Sequence, residues 1–550
     1  VESETVQKNL TRQEIAELLA EFERRLQTCS SQRQIAEELG IPRSTLQHWL
    51  ERRDSINADP HVLAFFESPA GTAFLHRLVL GAHFVMTLMG PSSVRLVCQY
   101  LELTGLDRFI ASSYCPQYKV SAQMEEAVIE FSNMEKARLA EGMEQKEITV
   151  CQDETFHPET CLVAIEPVSN FILLEKYSES RKSEDWTASM KEALEGLPVE
   201  IVQSVSDEGS GILHHVKKEL GAHHSPDVFH VQHEIVKGTS AALAAKTECA
   251  MQALDKASAG VSRCISEKEA YLCEKHGPGR PPEFDKRIEE ARKLEQEARR
   301  SHETISAQQE RVKNAVQKIG EVYHPFDLET GALKTSEEAS SSLNECFSEI
   351  ETTASDTGLS DRCLARIKKA KKVVVGMAAT IVFYLLAIRE KVGALSLAPE
   401  VERAVFENLI PAAYIRLVSM KAKWAEDQER LRKRAEELMV PLLSPDGPFF
   451  SLDPEERMRI EKTAEECAQL FQRSSSCVEG RNGQLSLRHH SLHRLSNRKL
   501  SALTAVHNYM LKRSDGTTAA ERFFGAKPKE MFEYLLSRVD LPGWPAQKRS

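Results

Sequence analysis

Over the first fifty residues, apolar side chains recur at helical spacing. Ile15, Leu18, Leu19, Phe22 and Leu26 form one stripe of a helix over 11–27. A second set, Ile35, Ala36 and Leu39, is followed by Gly40, Ile41 and Pro42, then by Leu46, Trp49 and Leu50. This pattern predicts two short helices joined at a tight turn. Gly40 permits the turn, Ile41 plugs the junction, and Pro42 stands near the start of the second helix, where its missing N–H costs little. From 60 to about 143 the spacing remains helical, with breaks at Asp59-Pro60, Gly90-Pro91 and Cys115-Pro116. Residues 93–110 fit either a second helix-turn-helix or a packing module.

At Glu147 the periodicity changes. Segments 148–152, 161–167 and 171–177 read as strands, with Asn170 at the break between the last two, as in a hairpin. A helix over 184–194, a strand over 199–206, a helix over 211–220 and a fifth strand over 225–231 follow. Strand signals stop near His233, and 235–470 reads as nearly all helical. Within it, 284–319 is rich in Glu, Arg, Lys and Ala and poor in apolar residues, which predicts a solvated helical arm; 413–438 is similar. These changes divide the chain into an N-terminal helical unit (1–58), a helical linker or second binding unit (59–146), an α/β core (147–234), an all-helical insertion (235–470) and a return to the core (471–550).

Composition alters this picture little. A net charge of −11 over 550 residues argues against a chain coated in positive charge, although clustered Lys and Arg can still hold an anion. None of the 12 cysteines falls in a Cys-x-x-Cys pair, so free thiols in a reducing compartment are expected rather than a zinc knuckle. Histidines gather at 214–215, 223–224, 230, 233, 489–490 and 493, but a structural zinc site is not the favoured reading without cysteine pairs. The apolar run 373–388 falls short of the roughly 18 residues that suggest a membrane span. A buried helix is expected there, and a cytoplasmic protein, since no signal-peptide pattern opens the sequence.

The candidate chemistry lies at strand ends. Asp153 closes the first strand and Asp207 the fourth, while Glu479 begins a helical segment far downstream. Carboxylates that converge in this way could hold two divalent ions about 4 Å apart. Hard oxygen ligands suit Mg²⁺, with Mn²⁺ able to substitute. Side chains alternate along a strand, so only one of Asp153/Glu154 and one of Asp207/Glu208 should face the ions. Asp227 is a rival for the second acid, and His230 could approach as an outer contact.

Groups suited to nucleic acid lie on either side of that core. Arg43, Ser44, Thr45, Gln47 and His48 would face outward on the second helix of the N-terminal pair, where base edges are read. Arg481, Asn482, Arg488, Arg494, Arg498 and Lys499 follow Glu479 and could touch phosphates. Arg280, in Gly279-Arg280-Pro281, could enter a narrow minor groove, although a plain interhelical linker fits that tripeptide better.

Taken together, 147–233 and 471–525 resemble the DDE transposases, the integrase-like branch of the ribonuclease-H-like superfamily. Cys477-Val-Glu-Gly-Arg-Asn-Gly-Gln-Leu-Ser-Leu487 is similar to the Glu-Gly-x-Asn segment of several bacterial insertion-sequence transposases, and 515–524 looks like their C-terminal region. The order of three strands, helix, strand, helix, strand matches that fold. The resemblance implies an α/β ribonuclease-H-like core interrupted by a large all-α insertion, with Asp153, Asp207 and Glu479 as metal ligands. It implies metal-dependent cleavage and strand transfer on double-stranded DNA, both transposon ends and target. A homodimer or higher oligomer in a bacterial, nucleoid-associated setting would carry this out. The separation of Asp207 from Glu479 departs from the compact pattern, in which a few tens of residues divide the last two acids. A regulator whose core no longer cuts, and a nuclease acting on hybrids or branched DNA, are the alternative expectations.

Overall fold

The computed structural model describes residues 10–28, 31–51, 53, 59–156, 159–275, 277, 279–492 and 495–543, with 491 and 492 described by backbone alone. The chain is predominantly helical around one mixed sheet. Where the period changes at Glu147, Lys146–Phe156 forms β1, which is buried over most of its length. Thr160–Glu166 (β2) and Phe171–Tyr177 (β3) complete an antiparallel meander. Asn170 turns the β2–β3 corner with φ of 64°, a left-handed conformation that Asn tolerates better than most residues. The Glu166 carboxylate fixes the same corner by accepting the Val168 and Ser169 N–H groups at 2.9 and 2.7 Å. Val199–Ser206 (β4) then lies parallel to β1, and His223–Pro226 (β5) parallel to β4, giving the order β3-β2-β1-β4-β5.

The fifth strand is shorter than expected and starts earlier. The sequence suggested 225–231, but the strand ends at Pro226, and Val228–Cys273 is one helix of 46 residues. Asp227 decides the boundary: its carboxylate accepts the Phe229 N–H at 2.8 Å and caps the helix. Cys115-Pro116 is likewise no break. Both residues lie in the first turn of Tyr114–Glu141, where a proline removes no helical hydrogen bond.

The N-terminal three-helix unit forms as its pattern requires. Arg12–Leu26, Gln32–Glu38 and Arg43–Glu51 bury Leu19, Phe22, Ile35, Ala36, Ile41 and Leu46 together. Gly40 takes φ of 67° at the turn. The next core joins Ala16 to Leu63, Leu75, Val79, Val97, Leu101, Leu106, Phe109 and Ile110. Residues 93–110 therefore contribute an apolar face to internal packing. Further along, Leu80, Phe84, Val120, Val128 and Phe131 share the core of the sheet.

The insertion has its own core, centred on buried Tyr323, Phe326, Phe347, Met377, Tyr384 and Phe471. From it extends an antiparallel arm, Val228–Cys273 packed along Phe284–Val322. At 1.5 Å per residue the longer helix spans roughly 69 Å. The distal arm relies less on apolar burial and more on surface pairs such as Lys268–Asp285 and Arg287–Glu267, both 2.6 Å, which explains its charged sequence. The segment 413–438 divides into Ile410–Lys421 and Ala425–Leu443, two packed helices.

Val374–Gly393 carries the long apolar run and lies against β5. A Cβ on Gly376 would come within 2.8 Å of the Pro226 ring, so glycine allows this close approach. Thr380 Oγ1 meets Ser225 Oγ at 3.2 Å and His223 Nε2 at 3.1 Å, and His223 stacks on Phe383. Two helical stretches, Pro69–Met89 and Asp361–Gly393, are long and apolar enough to cross a membrane. Each contributes its buried residues to one or more of these cores.

Candidate metal centre

The parallel register of β1 and β4 pairs Cys151 with Val205. Two residues further on, Asp207 lies just beyond β4 and Asp153 lies inside β1, which runs past the expected end to Phe156 and pairs Asp153 with Val163; the two carboxylates are close enough to interact. Asp153 is buried, with Oδ1 accepting the Glu154 N–H at 2.8 Å. Glu154 turns elsewhere, as strand alternation requires. Its carboxylate accepts from Trp186 Nε1 at 3.2 Å and from Arg181 at 3.4 Å. Asp207 is half-buried, and its Oδ1 accepts the Gly209 N–H at 3.0 Å, closing the turn beyond β4. Glu208 is exposed.

Two helices complete the cluster. His230 stands in the first turn of Val228–Cys273, and Glu479 in the first turn of Ser476–Leu492. One ligand-capable atom from each of Asp153, His230 and Glu479 lies within 4.8 Å of the others. Among the described residues this is the one such group of three or more His, Cys, Asp or Glu, so the remaining histidine pairs assemble no comparable centre there. Asp207 stands just outside the trio but close enough to act on it. Burial pushes the Asp153 carboxyl up to about 7; Asp207 and Glu479 add to the rise, while His230 and the Glu154 amide oppose it.

The helix starts are locked to one another by Asp227. Besides capping its own helix, its carboxylate accepts the Ser475 N–H at 3.0 Å and the Ser475 hydroxyl. The Ser475 carbonyl in turn accepts the Val478 and Glu479 N–H groups at 2.8 and 3.3 Å. The Val228 N–H donates to the Arg473 carbonyl at 3.0 Å, and Arg473 donates to the Gly320 and Tyr323 carbonyls. Asp227 is thus a buried clamp between the segments that deliver His230 and Glu479, and does not replace Asp207.

The basic residues after Glu479 need correction as DNA contacts. Arg481 is buried and makes a bidentate pair with Glu175 at 2.8 and 2.6 Å, tying the Glu479 helix to β3. Arg488 is also buried, donating to the carbonyls of Thr87, Leu88, Met89 and Gly90 at 2.6–3.1 Å. Those carbonyls end an apolar helix and would otherwise lack partners. Lys499 pairs with Glu125 at 3.1 Å, and Arg498 with Glu125 and Glu126 at 2.9 and 3.2 Å. These cations hold the fold together. Arg494 lies outside the described residues. Asn482 is half-buried three residues after Glu479, and its Oδ1 has no hydrogen-bond partner. Arg280, at the far turn of the arm, is exposed and paired with Glu283 at 2.9 Å.

At the other end of the chain, Arg43, Ser44, Gln47 and His48 are exposed on Arg43–Glu51, and Thr45 is half-buried. Sequence reasoning gave His230 only an outer role, because a strand was expected to run through 231. The usable signal was Asp227 followed by Val228, Val231 and Ile235, an N-cap leading into helical spacing. The Glu175–Arg481 pair left no local signal.

Residues 405–550 match the model of a family of unknown function (DUF6399), a stretch that contains Glu479 but neither Asp153 nor His230. No curated protein and no solved structure matches the chain.

Proposed function

We propose that the chain is a metal-dependent DNA transposase, which cleaves phosphodiester bonds at element ends and joins them to target DNA. The observation that carries this reading is the convergence of Asp153, Glu479 and the neighbouring Asp207 from three distant stretches of sequence. The sheet order, with a meander followed by parallel β4 beside β1, supports a ribonuclease-H-like core. The donors fit a cation: acidic groups crowd together, Asp153 resists ionising there, and His230 Nε2 is buried without a hydrogen-bond partner.

Asp153, Glu479 and His230 would hold the ion, with Asp207 beside it. A bound divalent ion would polarise the scissile phosphate and favour the hydroxide form of water or the alkoxide form of a 3′-hydroxyl. The chain's own contribution is orientation. β1 and β4 fix the two aspartates, and the Asp227–Ser475 clamp fixes the starts of the helices bearing His230 and Glu479. The exposed face of Arg43–Glu51 would read base edges at the ends, with Gln47 and Arg43 suited to adenine and guanine. Double-stranded DNA is therefore the proposed partner, and pairing of two ends would require a homodimer or larger assembly.

The test is cleavage of a labelled fragment bearing the DNA ends that flank the gene, with Mg²⁺ or Mn²⁺, using wild type and Asp153→Asn. Cutting at the end boundary by wild type alone is expected. Equal cutting by both proteins would sink the mechanism. Specific binding without cutting would favour a regulator, and activity on hybrids lacking such ends would favour a nuclease.

A further inference from the structure

We propose that His230 is a direct nitrogen ligand, so that the centre selects a first-row transition dication over Mg²⁺. The inference rests on the metal-centre reading above and alters its chemistry. Three carboxylates alone would suit a hard ion that keeps most of its waters. The trio gathered here instead contains two carboxylates and an imidazole. Imidazole nitrogen contributes little to Mg²⁺ binding but favours first-row transition ions, whose affinities for such sites rise from Mn²⁺ towards Cu²⁺.

The placement of His230 is unlike that of a surface histidine at a helix start. Its Nε2 has no hydrogen-bond partner and almost no solvent contact, although the side chain as a whole is 31% exposed. The nearest carboxylate oxygen on its own helix, Asp227 Oδ2, is 4.0 Å away, too far for a hydrogen bond. That oxygen is already occupied by the Ser475 N–H and hydroxyl. The imidazole Nε2, held beside Asp153 and Glu479, therefore has no hydrogen-bond partner of its own. A cation would satisfy it. Backbone geometry also fixes the ring's origin: the helix is capped by Asp227, and Val228, two residues before the ring, is tied to Arg473. The arm helix thereby contributes one of the centre's ligands directly.

The experiment uses the full chain and metal alone. Mn²⁺ binding is followed by loss of the free-ion electron paramagnetic resonance signal, with Mg²⁺ added as competitor, and pulsed measurements report any coordinated ¹⁴N. Wild type should bind Mn²⁺ at least tenfold more tightly than Mg²⁺ and show imidazole nitrogen coupling. His230→Ala should lose the coupling and most of the preference, with Mg²⁺ affinity changed less than twofold. His230→Asp restores a third ligand as oxygen and should shift the preference towards Mg²⁺, which separates ligand identity from folding damage. Nitrogen coupling that persists in His230→Ala, or a Mn²⁺ preference unchanged in both variants, overturns the assignment of His230. If Asp153→Asn and Glu479→Gln also leave Mn²⁺ binding intact, the metal-centre reading itself fails. If those two abolish binding while both His230 variants keep the wild-type Mn²⁺ affinity and preference, only the present inference fails.

Discussion

Replacing Asp153 by Asn should stabilise the metal-free protein at neutral and alkaline pH while destroying the centre. Burial holds the Asp153 carboxyl at about 7 in the fold, against the ordinary value of 3.8. Because the folded value is the higher one, the unfolded chain ionises first as pH rises. Stability should therefore fall between about pH 4 and pH 7 and stay lowered above that range. A difference of roughly three units at 1.36 kcal/mol each amounts to on the order of 4 kcal/mol. Asn has nearly the same shape, its oxygen can still accept the Glu154 N–H, and it does not ionise. In chelator at pH 8 the variant should melt several degrees above wild type, and the gap should close towards pH 4. Mn²⁺ should narrow the gap, since an ion at 100 times its Kd adds about 2.7 kcal/mol to the protein that binds it. Calorimetry across that pH range, with and without Mn²⁺, makes the comparison. A variant that melts at or below wild type at pH 8 in chelator, or a gap independent of pH, refutes the argument.

Other variants test the internal contacts and the proposed role of Arg43–Glu51 in reading DNA. Arg488→Ala strips the Thr87–Gly90 carbonyls of a buried partner and should cost about 3 kcal/mol or more in urea denaturation. Arg488→Lys should recover little of it, because an ammonium cannot span the same carbonyls. Asp227→Ala removes a helix cap and leaves the Ser475 donors buried, an expected loss of about 2–4 kcal/mol. Faster amide exchange at 475–479 would locate that loss at the clamp. Gln47→Ala should weaken binding to the cognate DNA end by about 1–3 kcal/mol while leaving non-specific binding and its salt dependence unchanged, as read by titration at several salt concentrations.

What could be read from sequence depended on whether the determining contacts were local. The three N-terminal helices and strands β1 to β4 followed from period and turn residues, since Gly40 and Asn170 act within their own turns. Asp153 and Asp207 were legible for the same reason, as acids on or just after readable strands, although β1 runs three residues past Asp153. The end of β5 was not, because the cap from Asp227 overrides the extended preference of the apolar residues after it. The basic segment after Glu479 misled for a different reason. Its composition suggested a solvated cationic face, yet Arg481 and Arg488 find their partners on β3 and at 87–90, hundreds of residues earlier. A charge run reveals its sign but not which members point inward.

The junction at Val228 and Arg473 also bears on how the chain could be cut and rejoined. Where the insertion leaves and returns, the two backbones are one hydrogen bond apart, at 3.0 Å. A short linker could bridge that gap, so geometry alone would allow the arm and its bundle to be excised. The difficulty lies at β5. Without Val374–Gly393 against it, the last strand would present unpaired backbone groups and the bare Pro226 face to solvent, an edge open to pairing with another copy. The excised piece would also carry away His230. A minimal core would therefore need a substitute cover for one strand and a replacement for one ligand, and both must be grafted together.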